Sequence, residues 1–172
     1  MSDFTIRVAD PTDLDAVTEL LEASYPLLLA SAYDASLLDA ALPAMTRAQP
    51  ALLASGTYYV AVSPGGRIVG CGGWSRERPG SGETVAKLGH VRHFGTHPDW
   101  IRRGVGRALY ERCAHDARRA GLARLECYST LSAEPFYAAL GFERVRHIEV
   151  AFPSNVEFPG TLMQCWLDAP QV

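Results

Sequence analysis

The stretch of residues 94–109 constrains the fold of this chain more than any other part of its sequence. A strand-like run ends at Pro98, a short loop follows, and Gly104 and Gly106 open a long helical pattern. The first N–H groups of a helix have no intrahelical partners and carry partial positive charge. This arrangement therefore predicts a cradle for an anionic ligand such as a phosphate group.

Arginines in and beside the glycine turn favour the same prediction. Arg102, Arg103 and Arg107 would supply countercharge to a phosphate-bearing ligand. The plainer alternative is that the two glycines only permit a tight turn into an amphipathic helix. A dinucleotide-binding fingerprint does not fit, because its third glycine would fall at Leu109.

The remaining periodicity predicts a single α/β domain over residues 1–172, because no internal repeat or long linker divides the chain. We expect a mixed central sheet of six to seven strands flanked by about four helices, with one strand–helix–strand crossover. Tyr25-Pro26 is expected to end the first helix. The predicted strands are 4–8, 57–62, 68–74, 87–96, 123–129, 142–152 and 161–167, and the predicted helices are 11–25, 37–45, 104–120 and 133–140.

Charge and composition exclude several classes of protein. Lys and Arg number 16 and Asp and Glu 19, and the net charge of −3 argues against nucleic acid or an anionic membrane as a partner. No apolar run approaches the roughly 20 residues of a membrane span, and no signal-peptide pattern follows Met1. The four cysteines are scattered without metal-ligand spacing, so we expect reduced cysteines, no metal site and a cytoplasmic location.

With these residues the chain resembles the GNAT superfamily of acyl-CoA-dependent N-acetyltransferases. Their central motif is a strand followed by Q/R-x-x-G-x-G/A at the start of a helix. Gly104 and Gly106 match it, whereas Ile101 stands where the family most often has Gln or Arg. Residues 130–142 resemble a second family segment, N-x-x-A-x-x-F-Y-x-x-x-G-F, with Thr130 in place of the Asn.

The resemblance implies a GNAT-like domain and an acetyltransferase that uses acetyl-CoA as cosubstrate and no metal. It implies that amides of the glycine turn contact the pyrophosphate of acetyl-CoA and that the preceding strand end pairs with the pantetheine arm. The implied cofactor-binding residues are Phe94, Gly95, Thr96, Arg102, Arg103, Gly104, Val105, Gly106 and Arg107.

Two side chains are predicted to be catalytic. Tyr137 fits the acid, because a phenol of pKa about 10 can protonate or hydrogen-bond the departing CoA sulfur. His90 is the predicted base, directly or through water; an ordinary polar strand position is its alternative role. In a regular strand His90 shares a face with Arg92 and Phe94, which makes His93 the weaker candidate unless the strand is bulged.

The predicted acceptor is the primary amine of a small molecule, attacked directly in a ternary complex. The alternatives are a protein N-terminus or lysine as acceptor, and a non-catalytic CoA-binding sensor module. A homodimer is left open, since dimers are common in the family and no self-complementary patch is evident. Specificity is expected from the first two helices, the glycine-rich loop and the final hairpin, with Tyr25, Tyr33, Trp74, Arg76, Glu77 and Arg78 as the residues able to shape a pocket.

Overall fold

Seven strands form one mixed sheet in the computed structural model, which describes residues 3–167; residues 1–2 and 168–172 of the predicted domain lie outside the described residues. The sheet order is β1-β2-β3-β4-β5-β7-β6, and β4–β5 is its parallel pair. The other neighbours are antiparallel. The strands are β1 (Thr5–Val8), β2 (Tyr58–Val62), β3 (Ile68–Ser75), β4 (Leu88–Thr96), β5 (Arg124–Thr130), β6 (Glu143–Phe152) and β7 (Val156–Trp166).

Five helices of the described chain accompany the sheet, so the predicted α/β architecture is confirmed. Helix α4 lies in the predicted crossover between the parallel strands β4 and β5. The four-residue α3 is the helix that the sequence pattern did not predict. Within residues 3–167 no helix is long and apolar enough to cross a membrane. The helices are α1 (Leu14–Leu29), α2 (Ala35–Met45), α3 (Pro50–Leu53), α4 (Val105–Arg119) and α5 (Glu134–Ala139).

Two apolar cores lie on opposite faces of the sheet. One packs α1, α2 and α3 against the sheet, and the other packs α4 and α5 against it. Strand β2 contributes to both, because Tyr58 and Val60 belong to the first core and Tyr59 and Ala61 to the second. An apolar run without alternation is what a strand covered on both faces requires.

Helix α1 does not end at Tyr25-Pro26, as the sequence analysis predicted, but continues to Leu29. A proline inside a helix removes one hydrogen bond and costs about 3 kcal/mol or more. The helix tolerates Pro26 because its core stripe continues past it: Leu21 and Leu29 are fully buried, and Tyr25 is 9% exposed. Burial of this stripe therefore outweighs the local break.

Strands β4 and β5 part after a short parallel ladder. The last aligned pair is His90 with Glu126. Beyond it β4 stays paired with β3, and β5 stays paired with β7 along its whole length. The two strands therefore leave a gap in the middle of the sheet, bordered by one strand edge on each side.

Candidate active site

A cavity of about 810 Å³ occupies the gap between β4 and β5. It has two ends. The cradle end is lined by residues of the segment 98–107, at the start of α4, and by α5. The α1–α2 end is lined by α1, α2, Gln49, β6 and two residues of β4, Arg92 and His93.

The cradle end has the predicted form of a helix N-terminus opened by glycine. Gly104 has a φ of +82°, a left-handed conformation that glycine adopts without strain. The first helical hydrogen bond runs from Ala108 N–H to the Gly104 carbonyl at 3.0 Å. In the described chain the N–H groups of residues 105–107 therefore have no backbone acceptor, so they are available to an anionic ligand.

The three arginines predicted for this cradle divide into two groups. Arg102 and Arg107 line the cavity. Arg103 does not: its guanidinium forms an ion pair with Asp3 at 2.8 Å and lies 4.0 Å from the ring centre of Trp100. The structure therefore assigns the Arg103 side chain to the support of the loop rather than to countercharge at the cavity, and the predicted contact of its backbone amide with the cofactor stays a prediction.

Gly106 is constrained by protein packing. A Cβ atom at this position would lie 2.8 Å from the ring of Phe136 on α5, closer than real Cβ contacts come. The absence of a side chain thus lets α5 approach the first turn of α4. Since Tyr137 follows Phe136, this contact also sets the position of the predicted acid.

The predicted strand end, Phe94, Gly95 and Thr96, lines the cavity along the edge of β4. Two buried tyrosines fix the backbone here from the α1 side. Tyr25 Oη donates to the Phe94 carbonyl at 2.6 Å, and Tyr58 Oη donates to the His93 carbonyl at 2.7 Å. Burial raises the pKa of both phenols, so both keep the proton that they donate.

Tyr137 lies on α5 inside an aromatic cluster and lines the cavity. Its ring centre is 5.1 Å from that of Phe136, 5.3 Å from that of Phe142 and 6.5 Å from that of Phe94. The residue is 6% exposed, and its hydroxyl makes no hydrogen bond with the described residues. Burial raises the pKa of Tyr137 well above its ordinary value, so the phenol is protonated at neutral pH.

A β-bulge in β4 changes which side chains share a face. His93 and Phe94 together stand opposite one residue of β3, and His93 has a φ of +54°. Arg92 and His93 both contact groups at or just beyond the end of α2, whereas Phe94 packs among the residues of α4 and α5. The predicted parity, with Phe94 beside Arg92 and His93 on the opposite face, is wrong for this reason.

His93 lines the cavity, and its hydrogen bond defines which ring nitrogen carries the proton. Its Nε2 lies 2.7 Å from the Met45 carbonyl, and because a carbonyl only accepts, Nε2 carries the proton. Nδ1 is then the unprotonated nitrogen; it is enclosed by protein and has no donor among the described residues. Burial lowers the pKa of His93, so the ring is neutral at neutral pH.

His90, the predicted base, is not among the residues that line the cavity. It is 1% exposed at the point where β4 and β5 part, with Nδ1 3.8 Å from Glu126 Oε1 and Nε2 enclosed without a partner. Burial, with help from Arg78, Arg92 and Arg124, lowers the pKa of His90 to about 4. The structure therefore does not bring His90 together with Tyr137.

The regions expected to confer specificity do line the α1–α2 end, but most of the residues singled out there do not. Tyr25 is the one of the six that lines the cavity. Tyr33, for example, donates to the Pro159 carbonyl and stacks on Phe158. The sequence analysis missed most of the apolar side chains of this end, and the leucines that directly follow Pro26 in the sequence were the available signal for them. The missed lining residues include Leu27, Leu28, Met45, Val150 and Phe152.

The charge of the lining is one-sided. In the part of the chain that the structure describes, no Asp or Glu lines the cavity, and its cationic side chains are Arg92, Arg102 and Arg107. Nor do any three or more His, Cys, Asp or Glu side chains of residues 3–167 form a group that could hold a metal ion. Along the lining the site therefore offers protonated phenols, a neutral imidazole, guanidinium groups, the thiol of Cys127, Ser and Thr hydroxyls and backbone amides.

Comparisons with known proteins place this geometry in context. A family model described as an acetyltransferase (GNAT) domain matches residues 54–144, more than half of the chain. A sequence search of curated proteins finds no relative. Solved structures with the same fold include three at low sequence identity, and this likeness shows the fold alone.

The first is a GCN5-related N-acetyltransferase from Rhodopseudomonas palustris, also labelled a class-II aminotransferase (22% identity, TM-score 0.79, 96% of this chain and 97% of that one). The second is the PaiA N-acetyltransferase from Thermoplasma acidophilum in complex with coenzyme A (14% identity, TM-score 0.70, 96% of this chain and 99% of that one). The third is YncA, described as a putative acetyltransferase, from Salmonella typhimurium with acetyl-CoA (23% identity, TM-score 0.64, 99% of this chain and 98% of that one).

Proposed function

Because the chain belongs to the GNAT family of acetyltransferases, we propose that it acetylates the primary amine of a small molecule by direct attack in a ternary complex. Acyl-CoA-dependent acetyl transfer follows from the family itself. The small-molecule acceptor and the catalytic residues are our proposals, and they rest on the site described above.

The cradle end fits the acyl-CoA cosubstrate. The partnerless N–H groups of residues 105–107 and the side chains of Arg102 and Arg107 would hold its pyrophosphate, and the open edge of β4 from Phe94 to Thr96 would pair with its pantetheine arm. When bound, acetyl-CoA supplies an activated thioester. The chain's own residues must then supply the proton chemistry.

Tyr137 is proposed to hold a proton at Oη for the departing sulfur. Its phenol is protonated at neutral pH and its hydroxyl has no partner among the described residues, so both the proton and the hydroxyl are available. A positioned acid of this kind contributes about 10²- to 10⁴-fold to a rate. The aromatic rings around it restrict its orientation.

For the base, the geometry favours His93 over the predicted His90. His93 lines the cavity, and its Nδ1 is unprotonated because Nε2 donates to Met45. An enclosed acceptor without a donor carries a desolvation cost that an amine N–H would remove. Since Nδ1 is enclosed, the ring or its neighbours must shift when the acceptor binds. The role predicted for His90 stays a prediction.

The observation that carries the small-molecule proposal is the absence of carboxylates from the described lining of the cavity. A basic peptide or a lysine-rich tail is normally recognised by acidic side chains that complement its charge. A compact, partly apolar cavity of about 810 Å³ instead has the size and character of a small-molecule site.

The test combines binding with turnover. We expect acetyl-CoA to raise the melting temperature of the protein by mass action, and CoA release to be measurable with small amines from a panel that also contains polyamines, aminoglycosides and peptides. Faster acetylation of peptides than of every small amine would contradict the small-molecule proposal. Failure of acetyl-CoA to bind at millimolar concentration would contradict the proposed use of the cradle.

A further inference from the structure

Arg92 is the cationic side chain of the α1–α2 end, and it has no anionic partner among the described residues. Its Nη1 donates to Ser75 Oγ at 2.8 Å and its Nη2 to Gln49 Oε1 at 3.4 Å, and both acceptors are neutral. The charge of Glu77 acts on Arg92, but no oxygen of Glu77 lies within 4.0 Å of the guanidinium. The structure thus leaves this half-buried guanidinium, which lines the cavity, without a direct anionic contact among the described residues.

A guanidinium carries five N–H donors, and these two contacts engage two of them. Burying a charge is unfavourable unless it is paired and hydrogen-bonded. A carboxylate matches the planar fork of arginine, because it accepts two parallel N–H bonds and supplies the opposite charge. A carboxylate on the ligand would therefore pair with the charge of Arg92 and accept hydrogen bonds from its free N–H groups.

The rest of the α1–α2 end is largely apolar. Leu27 is 69% exposed and Leu28 is 43% exposed, although both line the cavity. Met45, Val150 and Phe152 line the same end. Large apolar side chains that stay exposed at a cavity favour a ligand with an apolar body.

The bulge in β4 adds a spatial constraint. It turns the consecutive side chains Arg92 and His93 toward the same face, and both line the cavity. In a regular strand two neighbours would point to opposite faces. A ligand that carries a carboxylate close to its amine can therefore meet Arg92 with one group and His93 with the other.

We propose that the acceptor is an apolar α-amino acid, or a small molecule with the same carboxylate, amine and apolar body, and that Arg92 binds its carboxylate. This inference rests on the proposed function. In the reaction the amine nitrogen bonds to the acetyl carbon, the carbon–sulfur bond of acetyl-CoA breaks, and one proton leaves the amine as CoA departs as a thiol. Arg92 takes no proton and acts in binding.

The experiment uses pairs of acceptors that differ only in the carboxylate: leucine with isopentylamine, and phenylalanine with phenethylamine. CoA release gives kcat/KM for each. We expect the amino acid of each pair to exceed its amine by about tenfold to a hundredfold. In Arg92→Gln this ratio should fall to about one, because the KM for the amino acid rises far more than the KM for the amine.

Arg47→Gln is the matched control, because Arg47 is an exposed arginine two residues before Gln49; its ratio should equal that of the wild type. Melting temperatures establish that each variant is folded, and Arg92→Lys, which keeps the charge without the fork, should retain part of the preference. Equal or faster acetylation of the amines, of spermidine or of a peptide N-terminus would overturn the inference and leave acetyl transfer to amines intact. Binding of acetyl-CoA without turnover of any panel member would instead overturn the proposed function.

Discussion

The hydroxyl of Tyr137 is the single atom on which the proposed acid chemistry depends. We expect Tyr137→Phe to lower kcat by about 10²- to 10⁴-fold, because the ring and its packing remain while the proton donor is lost. The rise in melting temperature with acetyl-CoA should be preserved. Steady-state CoA release and thermal unfolding measure the two effects.

Tyr110→Phe is the control for this substitution. Tyr110 is also a buried tyrosine beside Phe142, but its hydroxyl donates to Cys165 Sγ and it does not line the cavity. It should keep nearly full activity. Retention of wild-type kcat by Tyr137→Phe would exclude Tyr137 as the acid.

The choice between the two histidines can be read from the pH dependence of kcat/KM. A base must be neutral to act, so activity falls as the pH drops through its pKa. Because burial lowers the pKa of His93, this decline should lie below pH 6.5. His93→Gln should remove it and lower kcat/KM by at least tenfold, whereas His90→Gln should keep its shape.

An unchanged profile in His93→Gln would contradict the proposed base and leave water or His90 in that role. The profiles are best measured with one acceptor throughout, because the acceptor amine titrates as well. Each variant should first be shown to retain its melting-temperature response to acetyl-CoA.

At this scale the sequence predicted residue types better than residue positions. Motif spacing fixes Gly104, Arg102, Arg107 and Tyr137 relative to a helix start, and all four line the cavity, whereas the roles predicted for them stay predictions. Arg103 and His90 do not line the cavity. The partner of Arg103 is Asp3, a hundred positions away, and His90 stands in the last pair of the β4–β5 ladder, before the two strands part. Neither local spacing nor strand parity contains that information.

At the scale of elements, the contact of α4 with α5 passes through Gly106. We expect Gly106→Ala to displace Phe136, because the new Cβ would lie 2.8 Å from its ring. Overpacking of this kind typically costs about 1–3 kcal/mol. Tyr137 should move with α5, so kcat should fall more than the affinity for acetyl-CoA; melting curves and steady-state kinetics test both.

Gly65→Ala provides the matched control, since a Cβ there meets nothing closer than 4.0 Å and the residue has no left-handed φ. It should leave stability and kcat near wild type. A Gly106→Ala variant with normal kcat and stability would show that the two helices can separate without consequence for the site.

Periodicity predicted the order of the elements and most of their ends to within two residues, whereas two ends differ more. The helix predicted to stop at Pro26 continues to Leu29, because tertiary burial of its core stripe outweighs the lost hydrogen bond. Strand β7 begins at Val156, five residues before the predicted start, because pairing with β6 extends it. The first difference arises from packing against the sheet and the second from hairpin pairing with β6, and neither is contained in the periodicity of the segment itself.

For the whole molecule, buried neutral histidines make stability depend on pH. His90 has a folded-state pKa of about 4, below the ordinary value of about 6.5, so between these values the unfolded chain binds more protons. The free energy of unfolding should therefore be highest above pH 6.5 and fall as the pH drops toward 4, by roughly 3 kcal/mol from this group. Urea unfolding at several pH values measures it.

His90→Gln should flatten this dependence even if its stability at pH 7 is lower. His115→Gln, on the exposed side of α4, serves as the control and should keep the wild-type slope. If the free energy of unfolding of His90→Gln fell equally steeply with decreasing pH, the acid sensitivity would come from other groups, such as Asp13, whose pKa Arg7 lowers.

The parting of β4 and β5 also bears on self-association. Unpaired strand edges commonly recruit a strand from another molecule, which leads to aggregation or domain swapping. Here the two unpaired edges lie inside the sheet, with α1 packed on one face and α4 and α5 on the other. A polypeptide strand that paired with either edge would have to place side chains toward these helices on both faces, whereas a slender extended ligand has none to place there. The molecule thus keeps hydrogen-bonding edges for ligand binding while shielding them from intermolecular β-sheet formation.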